Sequence, residues 1–172
     1  ILVSILMPSL RIAREKAFMA ACGSQESEMG KGMMSYSIQN NRYLPGATVR
    51  AGAQHMVWAT RIKEYMSDNY EIFNCPKQAD DVGWQENLTS FGAPEEYGYK
   101  ENEARIYYNT QKFAYGMNDW GIRGYESGGK HLGLGTWITS PDEKGKVMLT
   151  EIVNPSEMIS IGDSTPNKYF DT

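Results

Sequence analysis

The stretch "ILVSILMPSLRIAREKAFMAAC", residues 1–22, begins with seven residues of which only Ser4 is polar, followed by Pro8 and a charged segment. Seven apolar residues are too few to cross a bilayer, which takes about 20 residues of helix. Pro8 lacks an amide hydrogen, so a helix that runs through it loses the bond to the Ser4 carbonyl and is predicted to bend there. The apolar start is therefore either the end of an element buried in the core or the tail of a longer apolar segment.

The helical pattern continues well beyond this stretch. Apolar residues recur at three- and four-residue steps, and they are Leu10, Ala13, Ala17, Ala21, Cys22, Met29, Met33 and Tyr36. Asn40 and Asn41 are suited to a left-handed helix cap, and Pro45-Gly46 to the turn that follows. The sequence predicts one helix of about 40 residues, roughly 60 Å long at 1.5 Å per residue. Its start, apolar all round, and its later amphipathic part call for two different environments.

The composition excludes several classes of partner. The chain has 172 residues, a formal net charge of −4 and a pI near 5.3, and basic residues form no long block. We therefore expect no nucleic-acid partner and no recognition of anionic polymers through bulk charge. The predicted organisation is a long N-terminal helix over residues 1–45 and a globular head over residues 46–172.

The remainder of the chain predicts an α+β fold, with the long helix packed on a small antiparallel sheet and long loops between elements. Residues 53–66 have the spacing of a second helix, and "YEIFNCP", residues 70–76, suggests an extended segment. A polar surface loop is predicted over 78–103 and a glycine-rich loop over 121–135. Strands are predicted in a hairpin around Asn109-Thr110, and over 146–152 and 157–163 with a turn at 154–156.

Four segments, taken in order, resemble one protein family. The N-terminal helix with its apolar run, Pro8, "LRIAREKA", Cys22 and the stop "YLPG" is similar to the N-terminal part of bacterial type IV pilin-like proteins and type II secretion pseudopilins. "FNCPKQ" (73–78), "FAYGMNDWG" (113–121) and "LTEIVNPSEMISIGDS" (149–164) resemble later segments of the same family. Members begin with a short leader that is cleaved before a methylated Phe, so the resemblance implies that about fourteen further residues precede Ile1.

The resemblance implies a structural subunit that polymerises into a helical filament, at the bacterial surface or in the periplasm, and that is held in the inner membrane before assembly. Its partners would be further copies of itself and the pilus or secretion assembly machinery. The implied filament-core interface comprises Ile1, Leu2, Val3, Ile5, Leu6, Met7, Pro8 and Leu10. One alternative is a minor pseudopilin that caps or primes an assembly. Another is an anchored carbohydrate-binding module or enzyme, which would use Trp58, Trp84, Trp120 and Trp137.

The two cysteines, Cys22 and Cys75, have no second Cys or His at metal-ligand spacing, so no zinc site is predicted. A disulfide and two buried thiols are both compatible with an even pair. Because the resemblance implies export, we predict the Cys22–Cys75 disulfide. It would close a loop of about 50 residues and stabilise the fold by around 4 kcal/mol on the chain-entropy account.

No catalytic residue is predicted. His55 and His131 lie far apart in sequence and neither belongs to a nucleophile motif, so we expect both to be ordinary polar residues and the protein not to be an enzyme. No cofactor is predicted, with calcium as the one alternative. Its oxygen ligands would come from acidic residues of the 78–103 loop: Asp80, Asp81, Glu86, Glu95, Glu96, Glu101 and Glu103.

Overall fold

The computed structural model describes residues 2–51, 53–77, 97–100, 114–118, 134, 137–138, 147–152, 154–157 and 160–163. Its dominant element is helix α1, Leu2–Gln39, which has 38 residues and is therefore about 57 Å long. Pro8 lies inside this helix. The helix assignment is unbroken from one end to the other, as the sequence predicts; the predicted bend at Pro8 stays a prediction.

Helix α1 ends where its sequence predicts. The Arg42 amide donates to the Ser37 carbonyl over 2.7 Å, and Asn41 and Arg42 have positive φ angles of 54° and 68°. Asn adopts this left-handed conformation more readily than most residues, because its side chain hydrogen-bonds locally. The chain then turns, and Tyr43 forms an antiparallel bridge with Met148.

Within the part of the chain that the structure describes, five short strands form two sheets. In the first, β1 (Thr48–Ala51) pairs antiparallel with β2 (Ala53–Met56) and parallel with β4 (Trp137–Ile138). In the second, β3 (Tyr115–Met117) pairs antiparallel with β5 (Ile161–Asp163). The α+β class, the long N-terminal helix and a small antiparallel sheet are therefore confirmed, while the parallel β1–β4 pair was not predicted.

Two predicted elements have a different structure. Residues 53–66 form strand β2, then helix α2 (Trp58–Lys63) and a 3-10 turn, Glu64–Met66, because β1 pairs with the first four of these residues before the helix begins. Residues 70–73, predicted to be extended, form the 3-10 helix Tyr70–Phe73. The Asn69 side chain caps this turn by accepting a hydrogen bond from the Glu71 amide over 3.1 Å.

The C-terminal predictions are right in part. Strand β5 lies within the predicted strand 157–163, and β3 within the predicted hairpin, whose turn at Asn109-Thr110 is outside the described residues. Residues 149–151 and 155–157 are 3-10 helices, not the strand and turn expected there. Within the predicted 78–103 surface loop, Tyr97 and Tyr99 are buried beside Val57 and Ile138. The predicted 121–135 loop lies outside the described residues except for Leu134, which is buried.

The second half of α1 forms one wall of the main core. Cys22, Met29, Met33 and Tyr36 are buried, and they pack in one cluster with residues of α2, β3 and β5. Phe73, fully buried in the same cluster, meets the Trp58 ring edge-on with ring centroids 5.9 Å apart. Burying a large apolar side chain of this kind contributes about 1.5–3 kcal/mol, so this half of α1 is fixed to the head by packing.

Candidate assembly surface and thiol cluster

Residues 7–21 of α1 have few of the described residues around them. From Met7 to Ala21 the side chains are exposed, except for Glu15 and Phe18, which are half-buried. Four of the exposed side chains are large and apolar: Met7 is 68% exposed, Leu10 66%, Ile12 56% and Met19 70%. We call residues 7–21 the projecting segment. A helix with this much exposed apolar surface is typical of an interface with another molecule.

The predicted filament-core residues belong to this end of α1. Met7, Pro8 and Leu10 are exposed, and the backbones of Leu2, Val3, Ile5 and Leu6 are helical. Ile1 lies outside the described residues. Of the helices that the structure describes, none combines the length and the apolar character needed to cross a membrane.

Cys22 is the first buried residue among the α1 side chains that the structure describes, and it lies beside Cys75. The two Sγ atoms and a carboxylate oxygen of Asp163 all lie within 4.8 Å of one another, and both cysteines are thiols in the structure. The fold thus brings together the two cysteines that we predict to bond; the disulfide itself stays a prediction. Two thiols and a carboxylate are also able to ligate a thiophilic cation, so the two chemistries compete for the same sulfurs.

The environment of the thiols disfavours their ionisation. Burial raises the pKa of Cys22 to about 11, with further contributions from its hydrogen bond with Cys75 and from the negative charge of Asp163. Burial also raises the pKa of the Tyr115 hydroxyl, which hydrogen-bonds with Cys22. A thiol at neutral pH in this site is protonated and a poor nucleophile.

Gln25, on α1, hydrogen-bonds to two other parts of the head. Its Nε2 donates to the carbonyls of Glu71 and Asn74, each over 3.0 Å, and its Oε1 accepts a hydrogen bond from the Tyr115 hydroxyl over 2.6 Å. One side chain therefore links α1 to the segment before Cys75 and to β3. The sequence analysis missed Gln25, whose partners are 46 to 90 residues away along the chain.

Two carboxylates lie close together next to this cluster. Burial and then repulsion from Asp163 raise the pKa of Glu26, while the backbone N–H of Asp163, which donates to the Glu26 carboxylate, opposes that rise. We call Glu26 and Asp163 the acidic pair. Asp163 is the last residue of β5, and its closeness to Glu26 and to the thiols comes from the tertiary fold.

A groove of about 620 Å³ runs along α1 beyond the acidic pair. Its lining is mainly apolar, and the residues are Ser27, Gly30, Lys31, Met33, Met34, Ser35, Leu44, Leu134, Leu149, Ile152, Pro155 and Ser160. We call it the α1 groove. At Gly30 an added Cβ atom would meet none of the described residues within 4 Å, so they leave the groove open there.

The other predicted sites receive less support. Every candidate calcium ligand lies outside the described residues, as do His131, Trp84 and Trp120, while His55 is in β2 and Trp137 in β4. Trp58 is only 2% exposed and packs in the core, so it cannot present a ring face to a sugar.

Comparisons of the chain with protein families, with curated proteins and with solved structures found no match.

Proposed function

We propose that the protein is a structural subunit of the pilin or pseudopilin class, which polymerises through its N-terminal helix into an extracellular or periplasmic filament. The supporting observation is the contrast between the two halves of α1. Residues 22–37 contribute buried side chains to the core of the head, whereas the projecting segment exposes Met7, Leu10, Ile12 and Met19. A helix fixed at one end and apolar at the other is suited to bundling with copies of itself.

The driving force in this proposal is the removal of apolar surface from water. Each copy would place the apolar start of α1 among the same residues of its neighbours, and a buried apolar side chain contributes about 1.5–3 kcal/mol. Before assembly, the inner membrane would cover the same residues, and the assembly machinery would transfer the subunit from lipid to filament. Contacts between unlike surfaces of identical subunits then generate an open polymer instead of a closed ring.

The two alternatives predict different products. A minor pseudopilin would be present in a few copies at a filament end, and an anchored carbohydrate-binding module would remain monomeric and bind glycans. The burial of Trp58 removes one of the four rings on which the second alternative rests. No described residue group favours either alternative over a polymer.

The test is electron microscopy, with antibody labelling of the head, of surface material shed by cells that produce the natural protein. We expect fibres labelled along their length. Label only at fibre ends would indicate the minor subunit, and unlabelled fibres with free monomers would contradict the proposal.

A matched pair of variants sharpens this test. Leu10→Glu changes an exposed residue of the projecting segment and is expected to abolish fibres without unfolding the head. Ile38→Glu is the control, because Ile38 is 74% exposed and lies on the same helix at the head end. Fibres from Leu10→Glu cells that match the wild type would contradict polymerisation through this helix.

A further inference from the structure

The acidic pair adjoins the α1 groove at two places, one on α1 and one on β5. Glu26 lies one helical turn before Gly30, on the same face of α1, and Asp163 is three residues beyond Ser160, which lines the groove. The surface thus has an apolar floor, made by Met33, Leu149 and Ile152, with two mutually repelling carboxylates at one end. A ligand that suits it is apolar along one side and carries positive charge.

The projecting segment has these properties. Beside its exposed apolar side chains it has three basic residues, Arg11, Arg14 and Lys16, and one acidic residue, Glu15. Glu15 is engaged by Lys77, whose Nζ lies 3.1 Å from its carboxylate. The segment therefore presents net positive charge together with apolar surface, and this is complementary to the acidic pair and the groove.

A single molecule cannot make this contact with itself. The projecting segment and the groove residues 27–35 lie on the same helix, and their centres are about 25 Å apart along its axis. The contact requires a second copy, and it joins two unlike surfaces. Such a contact leaves one free segment and one free groove on every pair, so it propagates into an open assembly.

We propose that residues 7–21 of a second copy dock in the α1 groove, with basic residues of that segment facing Glu26 and Asp163. This inference rests on the proposed function and names the surface of the head that receives the neighbouring helix. Gly30 lets the incoming helix approach α1 closely, and the incoming positive charge relieves the repulsion between Glu26 and Asp163.

Gly30→Leu tests the groove, since it adds a side chain to the lining at a point where the Cβ meets none of the described residues within 4 Å. The control is Gly23→Leu, on the same helix, where an added Cβ also meets nothing within 4 Å and which does not line the groove. We expect Gly30→Leu to weaken self-association by about tenfold or more in sedimentation velocity, as loss of a central interface contact does, and Gly23→Leu to leave it close to wild type.

Charge reversal tests the pairing and its direction. Glu26→Lys and Lys16→Glu should each weaken self-association. A mixture of the two variants should regain it, because the acidic side chain introduced at position 16 of one variant then faces the basic side chain introduced at position 26 of the other. Glu26→Gln keeps the acceptor for the Asp163 amide and should weaken association without destabilising the monomer. Mixed variants that associate no better than either variant by itself would overturn the proposal.

Hydrogen exchange identifies the occupant. With a second copy in the groove, amides of residues 7–21 become more protected as protein concentration rises, and Gly30→Leu abolishes the effect. Protection of the groove that is independent of concentration would assign it to another part of the same chain, and no protection would leave it empty; either result overturns the proposal.

Fibre formation distinguishes failure of the docking site from failure of the proposed function. If fibres form and are identical in wild type and Gly30→Leu, the docking site is wrong but the structural function stands. If the wild type forms no fibres, the structural function itself fails.

Discussion

The hydroxyl of Tyr115 donates a hydrogen bond to Gln25 Oε1 over 2.6 Å, and this bond joins strand β3 to the point where α1 enters the head. The same Gln25 side chain donates to two carbonyls of the segment that leads to Cys75. Residues 22–37 of α1 are thus held in the head by hydrogen bonds as well as by apolar packing.

Tyr115→Phe is expected to destabilise the head by about 1–2 kcal/mol, because it leaves a part-buried amide oxygen of Gln25 without this donor. The measurement is urea unfolding followed by tryptophan fluorescence. The control is Tyr65→Phe, which removes an exposed and longer hydrogen bond of 3.4 Å to Gln39 and should change stability far less. Equal losses in the two variants would contradict the role given to Gln25.

The sequence predicts those parts of the fold that depend on neighbouring residues. The end of α1 follows from Asn40 and Asn41, whose side chains favour a local cap, and the length of the helix follows from its three- and four-residue spacing. Residues 53–56 are different, since nothing in Ala-Gln-His-Met alternates as a strand does. They are extended because β1 pairs with them, in a register that sets Thr48 opposite Met56.

Of the two surfaces proposed to meet, only the projecting segment was predictable from the sequence. The apolar run and the charged helical segment that follows it are visible in the sequence. Gln25 and Glu26, by contrast, look like ordinary polar residues of a helix surface. Their roles come from contacts with residues 46 to 90 positions away for Gln25, and with Asp163 for Glu26. The hydrophobic periodicity of the sequence does not predict long-range contacts of this kind.

Gly46→Ala is expected to be destabilising, because the new Cβ would lie 2.3 Å from Ile138 Cγ2, a side chain that is fully buried. Overpacking of this kind costs about 1–3 kcal/mol. Gly23→Ala is the matched change in open space, and it should stabilise the helix by up to about 1 kcal/mol. Thermal unfolding of both variants checks the opposite signs; a neutral Gly46→Ala would show that Ile138 can move away.

Glu26 makes stability depend on pH in a defined direction. Its pKa is raised above the ordinary value of 4.5 by burial and by Asp163, so the folded protein binds the proton more tightly than the unfolded chain does. The resulting stabilisation is present below the ordinary pKa and is lost as pH rises through the raised one. Glu26→Gln should therefore be more stable than wild type at neutral pH, and the gap should close below pH 4.5.

The control for this pH effect is Glu28→Gln, on the same helix. Glu28 pairs with Lys31, so its neutralisation removes a favourable contact and should give no gain at neutral pH. The measurement is urea unfolding of the three proteins across the pH range. A constant difference between Glu26→Gln and wild type at every pH would contradict the electrostatic account.

The Cys22–Cys75 disulfide is expected in protein isolated from an oxidising compartment. Intact mass without reductant should be lower by two hydrogens, and Cys22→Ser should lose about 2–5 kcal/mol of stability. Because burial raises the pKa of Cys22 to about 11, the thiols of folded reduced protein should alkylate slowly at neutral pH and faster as pH approaches that value.

The double variant Cys22→Ser/Cys75→Ser distinguishes a disulfide from two free thiols and from a metal site. If the bond exists, the double variant is about as stable as either single one, and reductant lowers the stability of wild type only. Two alkylatable thiols in unreduced, unfolded protein would contradict the disulfide. Zinc retained at one equivalent by wild type, and lost in the double variant, would assign the sulfurs to a metal instead.

Pro8 is expected to let α1 bend or stretch at the start of the projecting segment. It is exposed, so Pro8→Ala removes no core contact, and the restored amide can bond to the Ser4 carbonyl, where an interior proline costs a helix about 3 kcal/mol. If the proposed filament forms, Pro8→Ala fibres should be stiffer and should differ in axial rise, both measured by electron microscopy. Ser24→Ala, an exposed change elsewhere on α1, is the control. A Pro8→Ala fibre with the rise and persistence length of wild type would show that the helix does not bend or stretch at this residue, and the apolar start would then pack as a straight rod.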